Sequence, residues 1–167
     1  MKCYTCDVEM VERKTTDDAP YHYVLSGLEN VYLVGIVVRW CPKCKGESPV
    51  IPRIAELHRL IADTLIRQPT LLSGPEVRFL RKHVGFPAKE FAALLGVTPE
   101  YLSRVETGAI KALGAPTDRL VRALAMVGDG DKARETLLEI ARKLKTKTKK
   151  VPPPVFRLER NRWLSVE

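Results

Sequence analysis

Residues 86–108 read FPAKEFAALLGVTPEYLSRVETG, and this stretch decides how the rest of the chain is organised. Pro87 suits the start of a helix, where its missing N–H is one of the donors a helix leaves unpaired anyway. The run PAKEFAALLG ends at Gly96, a residue that tolerates the positive φ of a sharp turn. Val97 bridges the turn. Thr98 can then cap a second helix, with Pro99 at its first position, and Gly108 closes it. Ala92 is small where two helices cross closely. Val97, Leu102 and Val105 are apolar where the second helix must pack on the first.

Working outward, residues 74–127 divide into four or five short helices. Gly74-Pro75 opens one and Gly85 ends it; Thr117 is a candidate cap for DRLVRALAMVG. The spacing at the centre is that of a helix-turn-helix, which sets its second helix into the DNA major groove with the N-terminal residues against base edges. Arg104, one turn into that helix, can reach guanine O6 and N7 in bidentate fashion. Glu100 and Tyr101 are further base-edge candidates. Ser103 and Thr107 are short donors suited to phosphate or nearby bases, Thr98 is a further DNA-binding candidate, and Lys89 and Lys111 flank the pair for backbone contacts. The competing reading for each is a solvated surface side chain.

The segments EFAALLGV and LSRVETG, with their flanking helices, resemble the Cro/repressor (Xre-type) helix-turn-helix family over about a third of the chain. Two departures stand out. Pro87 and Ala88 occupy positions where the family often has Ser or Thr followed by a phosphate-touching Gln. Glu100 places a carboxylate at a position that commonly faces bases, where it repels phosphates and could accept from cytosine N4.

Upstream lie two CxxC pairs, Cys3/Cys6 and Cys41/Cys44, separated by 34 residues, and the chain has no other cysteine. Four thiolates match one tetrahedral site with nothing left over, and they suit Zn²⁺, which is borderline-soft and redox-inactive. A closed four-sulfur site is structural rather than catalytic. Rubredoxin-like iron, an electron carrier, uses the same ligands, although only the second knuckle has the CPxC form. A thioredoxin-like dithiol would need a βαβ unit, and none is read here. His22, His58 and His83 read as ordinary side chains, because four sulfurs already close the site. Asp7 follows the first knuckle where many have Gly, and Lys45-Gly46 after the second fits a tight turn. Between the knuckles, YHYVL, a Ser26-Gly27 turn and VYLVGIVVRW predict a small antiparallel sheet carrying the metal at one end. A domain this small needs the metal as a staple. Then PRIAELHRLIADTLIRQ puts Ile54, Leu57, Ile61 and Leu65 on one helical face, with Pro52 at its start and Pro69 at its end.

Charge follows the same division. The net charge is +8, with pI near 9.5. Residues 1–69 hold nine basic and nine acidic side chains, residues 70–127 eight and five, and residues 128–167 eleven and six. An anionic partner therefore belongs to the last 98 residues. No signal peptide or membrane span is read, so the expectation is a cytoplasmic protein whose cysteines stay reduced. No nucleophile–base motif, phosphate-binding glycine loop or paired acids mark an enzyme.

The amino-terminal MKC with its CxxC, PYHYV, VVRWCPKC, the connecting helix and LSRVETG together resemble the MqsA-type antitoxins, which join a YgiT-type zinc finger to an Xre-type helix-turn-helix. That resemblance implies one structural Zn²⁺ on Cys3, Cys6, Cys41 and Cys44. It implies a toxin, often an mRNA-cleaving ribonuclease, held through the zinc domain. It also implies a homodimer that represses its own operon at a palindrome in double-stranded DNA. A stand-alone regulator of the same build is the alternative.

The expected fold is two-domain α+β. A double-CxxC zinc ribbon with its connecting helix spans 1–69, and an all-α five-helix Xre-type domain spans 70–127. A carboxy-terminal extension spans 128–167. In that extension DKARETLLEIARKLKTKTKK reads as a helix running into a basic stretch, 142–150, with six basic residues in nine. VPPPV is a stiff spacer, and FRLERNRWLSVE is a strand, a hairpin or a docking segment with Phe156 and Trp163 as anchors.

Overall fold

The computed structural model describes residues 1–127 in full and the backbone of two short strands near the carboxy terminus. A small β region comes first. Strands β1 (Val11–Lys14), β4 (Val37–Trp40) and β5 (Glu47–Val50) form one antiparallel sheet in the order β1-β4-β5, and β2 (Tyr21–His22) pairs with β3 (Tyr32–Leu33). Five helices follow: α1 (Ile54–Arg67), α2 (Gly74–His83), α3 (Ala88–Leu95), α4 (Pro99–Glu106) and α5 (Ala115–Val127). This is the expected α+β arrangement of a β region ahead of a helical one.

The β region is more broken than its apolar run predicts. VYLVGIVVRW is two strands, not one, because Gly35 turns at φ +80°. Buried Thr15 repairs the gap. Its N–H donates to Ile36 O at 2.9 Å, its carbonyl accepts from Gly35 N–H at 3.1 Å, and its hydroxyl oxygen accepts from Ile36 N–H at 3.1 Å. YHYVL likewise pairs only over Tyr21–His22, then closes a single 3-10 turn at Val24–Ser26 ending on Gly27 at φ +77°.

The helices follow their punctuation closely. Pro52 lies ahead of α1 rather than in it, and Gln68 turns extended before Pro69, as a residue preceding proline tends to. Glu76 accepts from Ser73 N–H at 2.7 Å at the start of α2. Thr98 caps α4 by accepting from Tyr101 N–H at 3.1 Å. Thr117 is not a cap. Helix α5 already begins at Ala115, with Asp118 N–H donating to Gly114 O at 2.9 Å, because Pro116 fits a first turn.

The core joins all five helices. Ala62 and Leu65 of α1, Val77 and Leu80 of α2, Phe91 and Ala92 of α3, Leu102 and Val105 of α4, and Val121 and Leu124 of α5 are all buried in one cluster, with Leu28 reaching in from the β region. A smaller cluster of Tyr21, Tyr23, Leu33 and Val38 holds the β region itself. The last turn of α1 is tied to α5 through one side chain. Arg122 Nη1 donates to the carbonyls of Leu65, Ile66 and Gln68 at 3.1, 2.9 and 2.7 Å, and Nη2 to Thr70 O at 2.6 Å. Asp118 holds Arg122 Nε at 2.7 Å and accepts from Leu72 N–H, also at 2.7 Å.

The helix expected over 131–150 lies outside the described residues. Further on, β6 (Val155–Glu159) and β7 (Arg162–Val166) pair antiparallel from Val155↔Val166 to Glu159↔Arg162, so of the three readings for that tail the hairpin is the one found.

Candidate nucleic-acid interface and four-cysteine centre

Helix α4 has two distinct sides. Leu102 and Val105 are fully buried against the other helices. Glu100, Ser103, Arg104 and Thr107 are exposed at i, i+3, i+4 and i+7, one outward face. The Arg104 side chain has no hydrogen-bond or ion-pair partner among the described residues. Thr107 donates its hydroxyl to Ser103 O at 2.9 Å, so the free donor expected there is already used within the helix. Tyr101 is half-buried and packs on the core from the flank. Thr98 is exposed but holds the cap. Lys89, in the first turn of α3, and Lys111, just past α4, are exposed. The turn between α3 and α4 is made by Gly96 at φ +69°, with Val97 N–H donating to Ala92 O at 3.0 Å.

What the sequence did not disclose is how α4 is held from behind. Arg81 of α2 grips Glu106, the last residue of α4, in a bidentate pair of 2.6 and 2.9 Å, and its Nη1 donates to Phe86 O at 2.9 Å. Both side chains are about nine-tenths buried, which makes the pair a fixed strut rather than a surface contact. At Gly74 the first residue of α2 passes so close to α4 that a Cβ would sit 1.9 Å from Val105 O. Arg81 and Glu106 stand 25 residues apart, and no local pattern links them. Gly74 reads as a helix opener; only the packed pair reveals the close approach.

The four cysteines converge at one end of the β1-β4-β5 sheet, where Val11 pairs with Trp40. All four Sγ atoms lie within 4.8 Å of one another; Cys3–Cys44 is 3.5 Å and Cys6–Cys41 is 3.3 Å. These separations are far longer than a disulfide's roughly 2.05 Å. They are near the edge of about 3.8 Å for a tetrahedron of sulfurs bonded at about 2.3 Å to one ion. The two knuckles are built alike. Asp7 N–H donates to Cys3 O at 3.0 Å and Lys45 N–H to Cys41 O at 2.9 Å; Cys3 N–H reaches Val8 O and Cys41 N–H reaches Gly46 O, both at 2.9 Å. Asp7 and Lys45 both adopt positive φ, 54° and 60°, so Asp7 takes the turn that glycine fills elsewhere, and in the second knuckle the turn residue is Lys45 rather than Gly46. Lys45 Nζ sits 4.9 Å from the centre of the Trp40 ring.

The sulfurs are electrically unequal. Backbone N–H groups of Thr5 and Cys6 pull the Cys3 thiol down to about 6, and those of Cys44 and Lys43 lower Cys41. Contact with the Cys41 sulfur, together with burial, pushes Cys6 up to about 12. At Cys44 the Gly46 N–H pulls down but is outweighed by the Cys3 and Cys41 sulfurs, and the thiol rises. Within each close pair one thiol is lowered and its neighbour raised. Four convergent sulfurs with such knuckle backbones fit a thiophilic metal ion, which on binding would displace thiol protons.

A helix-turn-helix family model matches residues 77–129, from within α2 through the end of α5. The chain matches no curated protein and no solved structure. The family match supports a DNA-binding transcriptional regulator acting on double-stranded DNA. No helix among the described residues is long and apolar enough to cross a membrane.

Proposed function

We propose that the protein is a sequence-specific transcriptional repressor that inserts α4 into the major groove of a palindromic site as a homodimer. The observation that carries this reading is the two-sided α4: an outward face whose Arg104 side chain is unpaired among the described residues, and a back bolted to α2 by Arg81–Glu106 and the Gly74 approach. A base-reading helix needs both, since a loosely held helix cannot keep a bidentate contact in register. Arg104 reads guanine. Glu100 and Tyr101 stand at base edges, Thr98, Ser103 and Thr107 near phosphate and base, and Lys89 and Lys111 on the backbone. One structural Zn²⁺ on Cys3, Cys6, Cys41 and Cys44 closes the ribbon of a 1–69 unit, beside a 70–127 DNA-binding unit and a 128–167 extension.

Beyond repression, the proposed role is that of an antitoxin whose ribbon grips a toxin. The even charge of residues 1–69 against the basic remainder supports this division, a protein partner for the first and DNA for the second.

The test is a fluorescence-anisotropy titration on the protein's own promoter. Arg104→Ala is expected to lose about 1–3 kcal/mol of specific binding and to relax one position of the site. Lys89→Ala is expected to weaken binding evenly across sequences and flatten the salt dependence. Unchanged affinity on Arg104→Ala removes the α4 assignment. Co-purification with the neighbouring gene products separates an antitoxin, which brings a small ribonuclease-like protein, from a stand-alone regulator, which brings none. A colourless protein carrying one zinc in native mass spectrometry separates both from an iron electron carrier, which would be red.

A further inference from the structure

A cleft of about 630 Å³ lies where the β region meets the helices, within the usual range for small-molecule sites. Its floor is apolar. Phe79 of α2 presents its ring there, edge-on to His58 of α1 at 5.7 Å between centroids. His58 is fixed in turn by Tyr23 Oη at 3.0 Å from its Nε2. One wall is the 3-10 turn, where the adjacent Val24 and Leu25 are 60% and 78% exposed. Single exposed apolar residues are ordinary, but these two line the same cleft as the Phe79 ring.

The rim carries charge of one sign. Arg78 and Lys82 stand at i and i+4 on α2, line the cleft, and have no carboxylate partner among the described residues. The one acid in the lining, Glu106, is consumed by Arg81 in the bidentate pair, so it does not neutralise them. Apolar floor and wall with two uncompensated cations complement one ligand chemistry: an anionic head on an apolar body.

We propose that this cleft binds a small amphipathic anion, a carboxylate or sulfonate on an aromatic or aliphatic body, with the head between Arg78 and Lys82 and the body across Phe79, Val24 and Leu25. A ligand there touches the β region and α2 at once. Because α2 is the element clamped to α4 through Arg81–Glu106 and Gly74, occupancy is coupled to DNA affinity. That coupling rests on the DNA-binding reading above; the binding site itself does not.

The test uses the full metal-loaded chain and the fluorescent aromatic anion 8-anilinonaphthalene-1-sulfonate. The expected result is saturation at one equivalent, with displacement by decanoate but not by inorganic sulfate. Arg78→Gln with Lys82→Gln is expected to weaken the probe by about tenfold or more, as loss of charge-assisted contacts does. Leu25→Ser is expected to weaken it without changing the far-ultraviolet circular dichroism. All three side chains are exposed, so folding is not at risk. Several equivalents bound, or an affinity indifferent to all three substitutions, overturns the site. For the coupling, decanoate is expected to change promoter affinity in wild type and not in the double variant, and DNA must change decanoate affinity by the same factor. An equal decanoate effect in both proteins, or none in wild type, overturns the coupling and leaves the probe result standing.

Discussion

The β region and the helical region are stabilised by different means. The first closes around four buried apolar side chains, Tyr21, Tyr23, Leu33 and Val38. The second closes around sixteen, of which only Leu28 comes from the β region. Four side chains do not offset the ordering entropy of some fifty residues at about 1–2 kcal/mol each. The four convergent cysteines offer that region a staple its small core lacks, whereas the helices have a large apolar core of their own. Each region also has its own kind of precision: in one, backbone N–H groups aimed at sulfur; in the other, a buried ion pair and a missing Cβ.

Removing metal is the harshest way to break this contrast. Structural zinc supplies on the order of 10 kcal/mol to small domains. Chelation is therefore expected to erase the amide signals of the β region in an NMR spectrum while the helical circular dichroism persists. Acidification is expected to act in the same direction. The metal competes with protons held at Cys6 and Cys44, whose thiols are raised, so affinity climbs with pH and falls as pH drops. Helices that melt together with the β region would show that the two are not independently stable.

Next in size is the strut. Glu106→Gln leaves the Arg81 guanidinium buried without its counter-ion, expected to cost about 3–5 kcal/mol in urea unfolding of the helical region. Metal retention should be unchanged. Gly74→Ala drives a Cβ into Val105 O and must push α2 away from α4, at a cost of about 1–3 kcal/mol. Its DNA affinity should fall further than its stability, because the register of α4 is what moves. The smallest effect is Thr98→Ala, which removes the α4 cap for about 1 kcal/mol by thermal unfolding.

Much of this was legible from the chain alone, and the reasons differ by element. Caps and breakers are local, so Thr98, Pro99, Gly96 and Gly108 marked α4 and its turn within a residue or two. Paired CxxC spacing is stereotyped, and the cysteines converge as read. The run VYLVGIVVRW misled because β propensity says nothing about a repair from Thr15, some twenty residues away. Thr117 misled because a good capping residue was present where Pro116 had already started the helix. The strut escaped because a buried charge pair is a property of the folded state, written in two segments that carry no mark of each other.

Arg122 shows a different economy. It and Asp118 grasp the last turn of α1 and the segment after it through main-chain atoms, four carbonyls and one N–H. Every amino acid offers the same carbonyl. The exposed side chains of Pro69, Thr70 and Leu71 are therefore free to drift in evolution without loosening the joint. Leu72 is the exception, because it must lend an N–H and fill a hole, and proline there is forbidden. Permissiveness in the connector is bought by strictness at two distant positions, 118 and 122.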